Sequence, residues 1–402
     1  MLSIVVSVFM LFNFPAPAKA DTTPEIDYAP STVQNGQSVT INGSGFGAEG
    51  PNIIVFDDFE KGTLGEPIMI GPESAQVGQW TRIEGVAKPR YSNLASVSGN
   101  QAFRADMTSY WRELISPTLP INTRKVFISW WLYIPSGTLI PGEEDPYHAN
   151  WKNVWLQGAG PSDDDLTLPT FFMPPSAPCL SCNNCPYQHW VTGLVLTKGQ
   201  WMHVWAWVNG GYDHDGQVHY WQLTNSGVVQ WINDNNVSVL YTGGAYERVD
   251  INGYGRTGPN TYPMFDDVYI AAGDNAQARI EIGNASTYES STNLAIFTST
   301  SWSENSITAT VRQGSFTNGE PVYLYVVDAN GVVNTTGYPI TFAGATGCTP
   351  AWDCSDWSVC ADSLQTRSCH DNNSCGSDAG RPVETAGCDS TAPGVVTNLV
   401  AS

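Results

Sequence analysis

The chain has 402 residues and carries 38 acidic against 17 basic side chains, a formal charge of −21. That balance excludes nucleic acid as a partner, since holding phosphates takes lysines and arginines that displace counterions. Its 38 glycines, 26 prolines and 15 tryptophans, with 14% charged residues, suit a turn-rich extracellular β protein rather than a helical one.

Residues 1–20, "MLSIVVSVFMLFNFPAPAKA", hold an apolar run that ends in small residues before Asp21. This is the pattern of a secretory signal peptide. No later run approaches the roughly 18 apolar residues of a membrane helix. The expectation is an exported chain, extracellular or at the cell surface, with no transmembrane segment. Beyond it, short alternating runs bounded by Gly, Asn and Pro predict strands throughout.

Residues 24–47, "PEIDYAPSTVQNGQSVTINGSGFG", combine a Pro-bounded strand, an Asn-Gly turn and an alternating run. They resemble the opening of an immunoglobulin-like TIG (IPT) domain. The matching second half resembles "ARIEIGNASTYES", "TSWSENSITATV" and "VYLYVVDANGVVNTTGYPITF", all beyond residue 278. The resemblance implies one domain split into 21–50 and 278–345, with residues 51–277 inserted. An inserted domain must begin and end close together. "IIVFDDFE" and "MFDDVYIAA" are then its first and last strands, side by side. With "VFISWWLYIPSG", "NWKNVWLQG" and "GQWMHVWAWVNGG", the insert resembles a concanavalin A-like jelly roll. The fold class expected is all-β: a jelly-roll β-sandwich inserted in an immunoglobulin-like sandwich, plus a small disulfide-rich module.

Pairing the two Phe-Asp-Asp strands would gather Asp57, Asp58, Glu60, Asp266 and Asp267. Like charges at that spacing repel unless a cation neutralises them. The jelly-roll resemblance implies a structural calcium there, an ion that takes six to eight oxygens. Solvent-facing aspartates and a hydrolytic acid/base pair are the alternatives.

In "QWMHVWAWV", alternation puts Trp201, His203, Trp205 and Trp207 on one face and Met202, Val204, Ala206 and Val208 on the other. The same split sets Trp151, Asn153, Trp155 and Gln157 together. It likewise groups Gln217, His219 and Trp221, and Phe127, Ser129, Trp131 and Tyr133. Rings mixed with amides and imidazoles match the apolar faces and hydroxyl rims of sugars. The expected carbohydrate-binding set is therefore Trp131, Tyr133, Trp151, Asn153, Trp155, Trp201, Trp205, Trp207, Gln217 and Trp221, gathered in one groove. Core packing is the bland alternative.

Were the groove catalytic, an imidazole titrating near neutrality would serve as base, which singles out His203 and His219. "WRELI" and "QVH" resemble the Arg strand and the Gln-x-His strand of alginate-type lyases, which adds Arg112. Their Lys-Ala-Gly-x-Tyr stretch is absent here, as is the Glu-x-Asp-x-x-Glu of retaining glucanases. In "PCLSCNNCP", Cys179, Cys182 and Cys185 would form a disulfide with one leftover thiol, or a zinc site completed by His189.

Residues 346–389 hold Cys348, Cys354, Cys360, Cys369, Cys375 and Cys388, an even set that implies three disulfides in a module too small for a core. The module resembles a thrombospondin type 1 repeat, which implies a ladder of Trp352, Trp357, Arg367 and Arg381. Residues 390–402 are a linker or the start of a fibronectin type III-like strand. The leading expectation is a secreted or surface adhesion protein that recognises a polysaccharide or surface glycan, with other surface proteins as further partners. A polysaccharide lyase or glycoside hydrolase using the same groove, and a structural stalk, are the alternatives.

Overall fold

Successive side chains of a strand point to opposite faces, and that alternation sets every layer of this molecule. The computed structural model describes residues 23–107, 112–138, 151–158, 166–171, 178–182, 187–191, 197–240, 244–254, 261–343, 350–360, 363–372 and 380–388. The signal-like segment, Cys185, Cys348, Cys375 and the tail lie outside the described residues. Among the described residues the regular structure is strand, apart from one 3-10 turn at Tyr288–Ser290. The fold is all-β.

The first strands of the chain find their partners at its far end. Ser38–Ser44 buries Val39, Ile41 and Gly43 while its other residues stay exposed. It pairs antiparallel with Ser306–Thr310, placing Ile41 opposite Ile307. Thr32–Val33 runs parallel to Tyr338–Phe342. Leu294–Ser303 serves both layers, pairing Phe297 with Ile280 and Trp302 with Ile307. One core then joins Val39, Ile41 and Phe46 to Ile280, Phe297 and Leu324. Trp302 Nε1 donates to Phe46 O at 2.9 Å, and Asn305 Nδ2 to Gly43 O at 3.0 Å. These contacts make one immunoglobulin-like sandwich from two separated stretches.

Between them lies the jelly roll. Its first sheet runs in the order Gly227–Val237, Gly216–Thr224, Trp201–Asn209, Lys125–Tyr133, Met264–Ala272, Asn52–Asp57. Its second sheet centres on Trp151–Gly158, Tyr246–Tyr254 and Leu114–Ser116. The inner faces meet through Ile128, Trp130, Val204 and Tyr220 of the first sheet and Val154, Leu156 and Ile251 of the second. Each such side chain removed from water contributes about 1.5–3 kcal/mol. The two Phe-Asp-Asp strands are neighbours, with Val55 opposite Ile270 and Asp57 opposite Val268. Entry and exit of the insert therefore stand together, as a host of two joined pieces requires.

The cysteine-rich module is held by Cys354–Cys369 and Cys360–Cys388. The Arg367 guanidinium lies 4.4 Å from the Trp357 ring, and that of Arg381 5.5 Å from Trp352. Cross-links and cation–π contacts replace the core that so short a segment cannot build.

The immunoglobulin-like sandwich packs on the outer face of the first sheet. Tyr288, Leu294, Ile296 and Tyr325 meet Phe127, Trp205, Trp207 and Tyr269 in a third apolar cluster. Arg279 is buried there, 4.4 Å over Phe127, with its Nε 3.0 Å from Glu281 and an N–H donated to the Tyr288 hydroxyl. A guanidinium at that depth is stable only because Glu281 meets its charge.

Candidate functional site

Register places the outer-face side chains of the first sheet in rows. Phe127, Trp207, His219 and Asn233 form one row; Ser129, Trp205, Trp221 and Gln230 form the next; Trp131 faces His203 beyond them. The rings touch in sequence. Trp221 stacks on Trp205 at 6.3 Å and 10°, and His203 lies against Trp131 at 4.6 Å and 8°.

Much of this face is covered. Trp205, Trp207 and His203 are 1%, 3% and 4% exposed, sealed beneath the host sandwich. So much cover corrects the open groove expected from alternation, although Trp205 also lines an open cleft. Trp131, Tyr133 and Trp201 are half-buried at the margin of the face. The expected second contributor is on the wrong side: Trp155 lies opposite Asp250 in the other sheet, where Asn153 and Asp250 are fully buried. The Trp151 side chain is not described; its strand belongs to that same second sheet. The ten expected residues therefore do not share one hollow.

An open cleft remains where the covering stops. Its volume is about 380 Å³, within the usual range of ligand pockets. The floor is Trp205, His219, Trp221, Gln230 and Asn233; the opposing wall, from the host sandwich, includes Gln277, Arg279, Tyr288 and Asn330. Gln217 flanks the floor and donates to Asn235 Oδ1 at 2.7 Å. His219 Nε2 donates to the same oxygen at 3.2 Å, and its pKa is lowered by burial, so the ring is neutral. Gly227 turns the hairpin beside the cleft at φ +113, and a Cβ there would meet Glu289 O at 2.1 Å. Only glycine lets the 3-10 turn approach so closely. Gln277, Arg279, Glu289 and Asn330 carried no sequence signal, because tertiary docking alone brings them to the sheet.

The expected catalytic residues are not assembled. His203 Nε2 lies 2.8 Å from Ser129 Oγ, and burial, then Arg279, lowers its pKa to about 3. Arg112 sits on the second sheet, 3.2 Å from Glu84 and 3.7 Å from Asp250. Neither imidazole bonds a tyrosine hydroxyl or a carboxylate among the described residues. The disposition of the lyase-like elements is thus corrected: Arg112 and the two histidines lie on opposite sheets.

The carboxylates of the acidic set are met by protein donors. Asp57 accepts Trp80 Nε1 at 2.7 Å and Phe59 N at 3.0 Å, and burial pushes its carboxyl up to about 8. Asp266 accepts Val97 N and Ser98 N, while Glu60 accepts Asn100 N and Gln101 N. Asp58, Glu60 and Asp267 line a separate cleft with Arg312 among them. Among the described residues no three acidic, His or Cys side chains gather closely enough to hold an ion. Of the zinc alternative, His189 Nδ1 is 2.7 Å from Asp234 Oδ2, and Cys185 lies outside the described residues.

No protein-family model matches the chain, and no curated protein matches it. Solved structures resemble it in part. The endo-beta-1,4-glucuronan lyase of the fungus Trichoderma reesei is 11% identical with a TM-score of 0.35, over 48% of this chain and 91% of its own. The PL-14 alginate lyase of Aplysia kurodai is 12% identical with a TM-score of 0.36, over 48% and 90%. A xylan-binding domain from Paenibacillus barcinonensis is 13% identical with a TM-score of 0.26, over 56% and 97%. Likeness of this extent carries no chemistry across.

Proposed function

We propose that this chain is a glycan-recognition protein whose binding site is the cleft between the jelly roll and the immunoglobulin-like sandwich. The observation that carries the reading is Trp221, half-buried on the buried Trp205 ring and surrounded by Gln230, Asn233, Asn330 and neutral His219. A ring fixed from behind offers a flat apolar surface, and amides at its edge both donate and accept to hydroxyls. The cleft is pre-organised, since two chain crossings and an aromatic interface fix its walls, so little ordering entropy opposes binding. Among the described residues no helix is long and apolar enough to cross a membrane. Export to the cell surface is part of the proposal, supported by the signal-like residues 1–20, the two disulfides and the acidic balance. The split domain and the cysteine-rich module, of TIG and thrombospondin type, act in it as spacers that present the cleft.

A panel of soluble and immobilised polysaccharides, read for both retention and product release, tests the reading. Retention without products, lost in Trp221→Ala, is the expected outcome. Release of unsaturated or reducing ends would replace it with the lyase or hydrolase alternative. Failure of every glycan to bind would leave a structural stalk.

A further inference from the structure

Gln277 differs from the other polar residues around the cleft. Its side chain is 7% exposed, yet among the described residues neither atom of its carboxamide meets a protein partner. A buried amide without a partner destabilises the fold, and beside an open cleft the missing partner is one that a ligand can supply. The amide ends next to Gly331, which lines the same cleft; a Cβ on that glycine, at φ +82, would meet Gln277 Oε1 at 2.8 Å. Glycine leaves the oxygen uncovered on that side.

The charges nearby are already matched. Arg279 is the only cation of the lining, and each nitrogen of its guanidinium faces a protein oxygen. Nε lies 3.0 Å from Glu281, Nη1 donates to Gln277 O at 2.9 Å, and Nη2 donates to the Tyr288 hydroxyl at 3.2 Å. That hydroxyl in turn donates to Glu281 at 2.8 Å. A carboxylate entering here would give up its water and find no free cation in return. Glu289, the other charged residue of the lining, repels it. A hydroxyl meets the opposite situation. It both donates and accepts, and the Gln277 carboxamide has an N–H and an oxygen free for it, with the exposed amides of Gln230 and Asn330 nearer the solvent.

We infer that the cleft selects uncharged sugar units over uronic acids, and that Gln277 is a specificity-determining residue whose carboxamide pairs with a sugar hydroxyl. The inference rests on the glycan reading of the same cleft and adds the chemical class of the sugar.

The test is calorimetric titration of the full chain with β-1,4-linked tetrasaccharides of glucose and of mannose, each paired with the uronate of the same backbone. Each uronate is also used as its methyl ester. Any other hexose polymer retained on the polysaccharide panel is compared in the same way with its form oxidised at C6. The titrations run in ~0.1 M and ~1 M salt, because repulsion from the chain's formal charge of −21 is screened in the second whereas a preference built into the cleft persists. The neutral member of a pair should bind at least about tenfold more tightly than its uronate at both salt concentrations, and the ester should recover most of the difference. A uronate that binds as tightly as its neutral partner, or a preference that vanishes in high salt, overturns the selection. An ester as weak as the free acid traces the preference to shape instead of charge and overturns it as well. Gln277→Met keeps the length of the side chain and removes both polar atoms. It should weaken the neutral ligand by about fivefold or more while the melting temperature holds or rises. Unchanged affinity, or a loss that only accompanies a lower melting temperature, counts against Gln277 as a ligand contact. Binding that needs Trp221 but favours uronates sinks this inference and leaves the glycan reading standing, whereas no binding by any of these sugars or by any glycan of the panel sinks both.

Discussion

Trp207 and Trp221 project from the same face of the same sheet, on adjacent strands, one row apart. One is 3% exposed beneath the host sandwich; the other is half-buried on the floor of an open cleft. Their local sequences give no sign of that difference. Both are bulky rings on regular strands, and Ala206 and Val208 beside Trp207, like Tyr220 beside Trp221, face the inner core. What separates them is which part of a second domain lands above. An aromatic face is thus one physical object in two settings, glue where another domain covers it and, in the proposed function, a recognition surface where the cover ends.

Truncating each side of that boundary should give opposite phenotypes. Trp207→Ala opens a cavity under Tyr288 and Tyr325 and should cost about 3–5 kcal/mol, read as a lower denaturation midpoint. If the loss is below about 1 kcal/mol, the two domains do not depend on this contact.

A second effect tests the seal itself. His203 is held neutral, with a folded pKa of about 3 against 6.5 when unfolded. The unfolded state therefore binds the extra proton first as pH falls, and stability should drop by roughly 1 kcal/mol per pH unit between pH 6 and 4. Buried Asp57 and Asp267, raised to about 8 and about 7, act with the other sign, losing stability as pH rises above 4 towards those values. The difference between wild type and His203→Gln in melting curves across this range isolates the histidine. An unchanged slope would mean that water reaches the ring.

On the open side, Trp221→Ala should weaken glycan retention by about tenfold or more, near 1.4 kcal/mol, and shift the melting temperature little. Loss of folding without a separate loss of binding would return Trp221 to the glue. The smallest effect belongs to the margin. Trp131→Ala removes a ring stacked on His203 and should cost about 0.5–1.5 kcal/mol of stability while retention stays at wild-type level. Any fall in retention would extend the site beyond the cleft.

Much of the fold was legible. Period-two runs such as "VFISWWLYI" announced strands and separated their two faces, because the pleat leaves no other choice. The repeated Phe-Asp-Asp marked strands that pair at the mouth of the insert, since an inserted domain must return to its point of departure. The site was legible only in part. His219, Trp221 and Gln217 stand in or beside the cleft, but Trp151, Asn153 and Trp155 matched them in composition while belonging to the opposite sheet. Alternation says that two residues share a side of their own strand; it does not say on which sheet that strand lies. The carboxylates were close along paired strands, as expected, and the sequence did not show that Trp80 and the backbone of residues 97–101 supply donors to them.

Sequence by itself determined the strands, the two-sided character of each, and the need for disulfides in a module with no room for a core. These follow from local geometry and composition, which short stretches carry whole. Only the tertiary structure decided which aromatic residues are buried and which line an open cleft, because that depends on a surface contributed from Gln277 onwards in the host sandwich. Burial is a property of the pair in contact, and no single strand contains its partner.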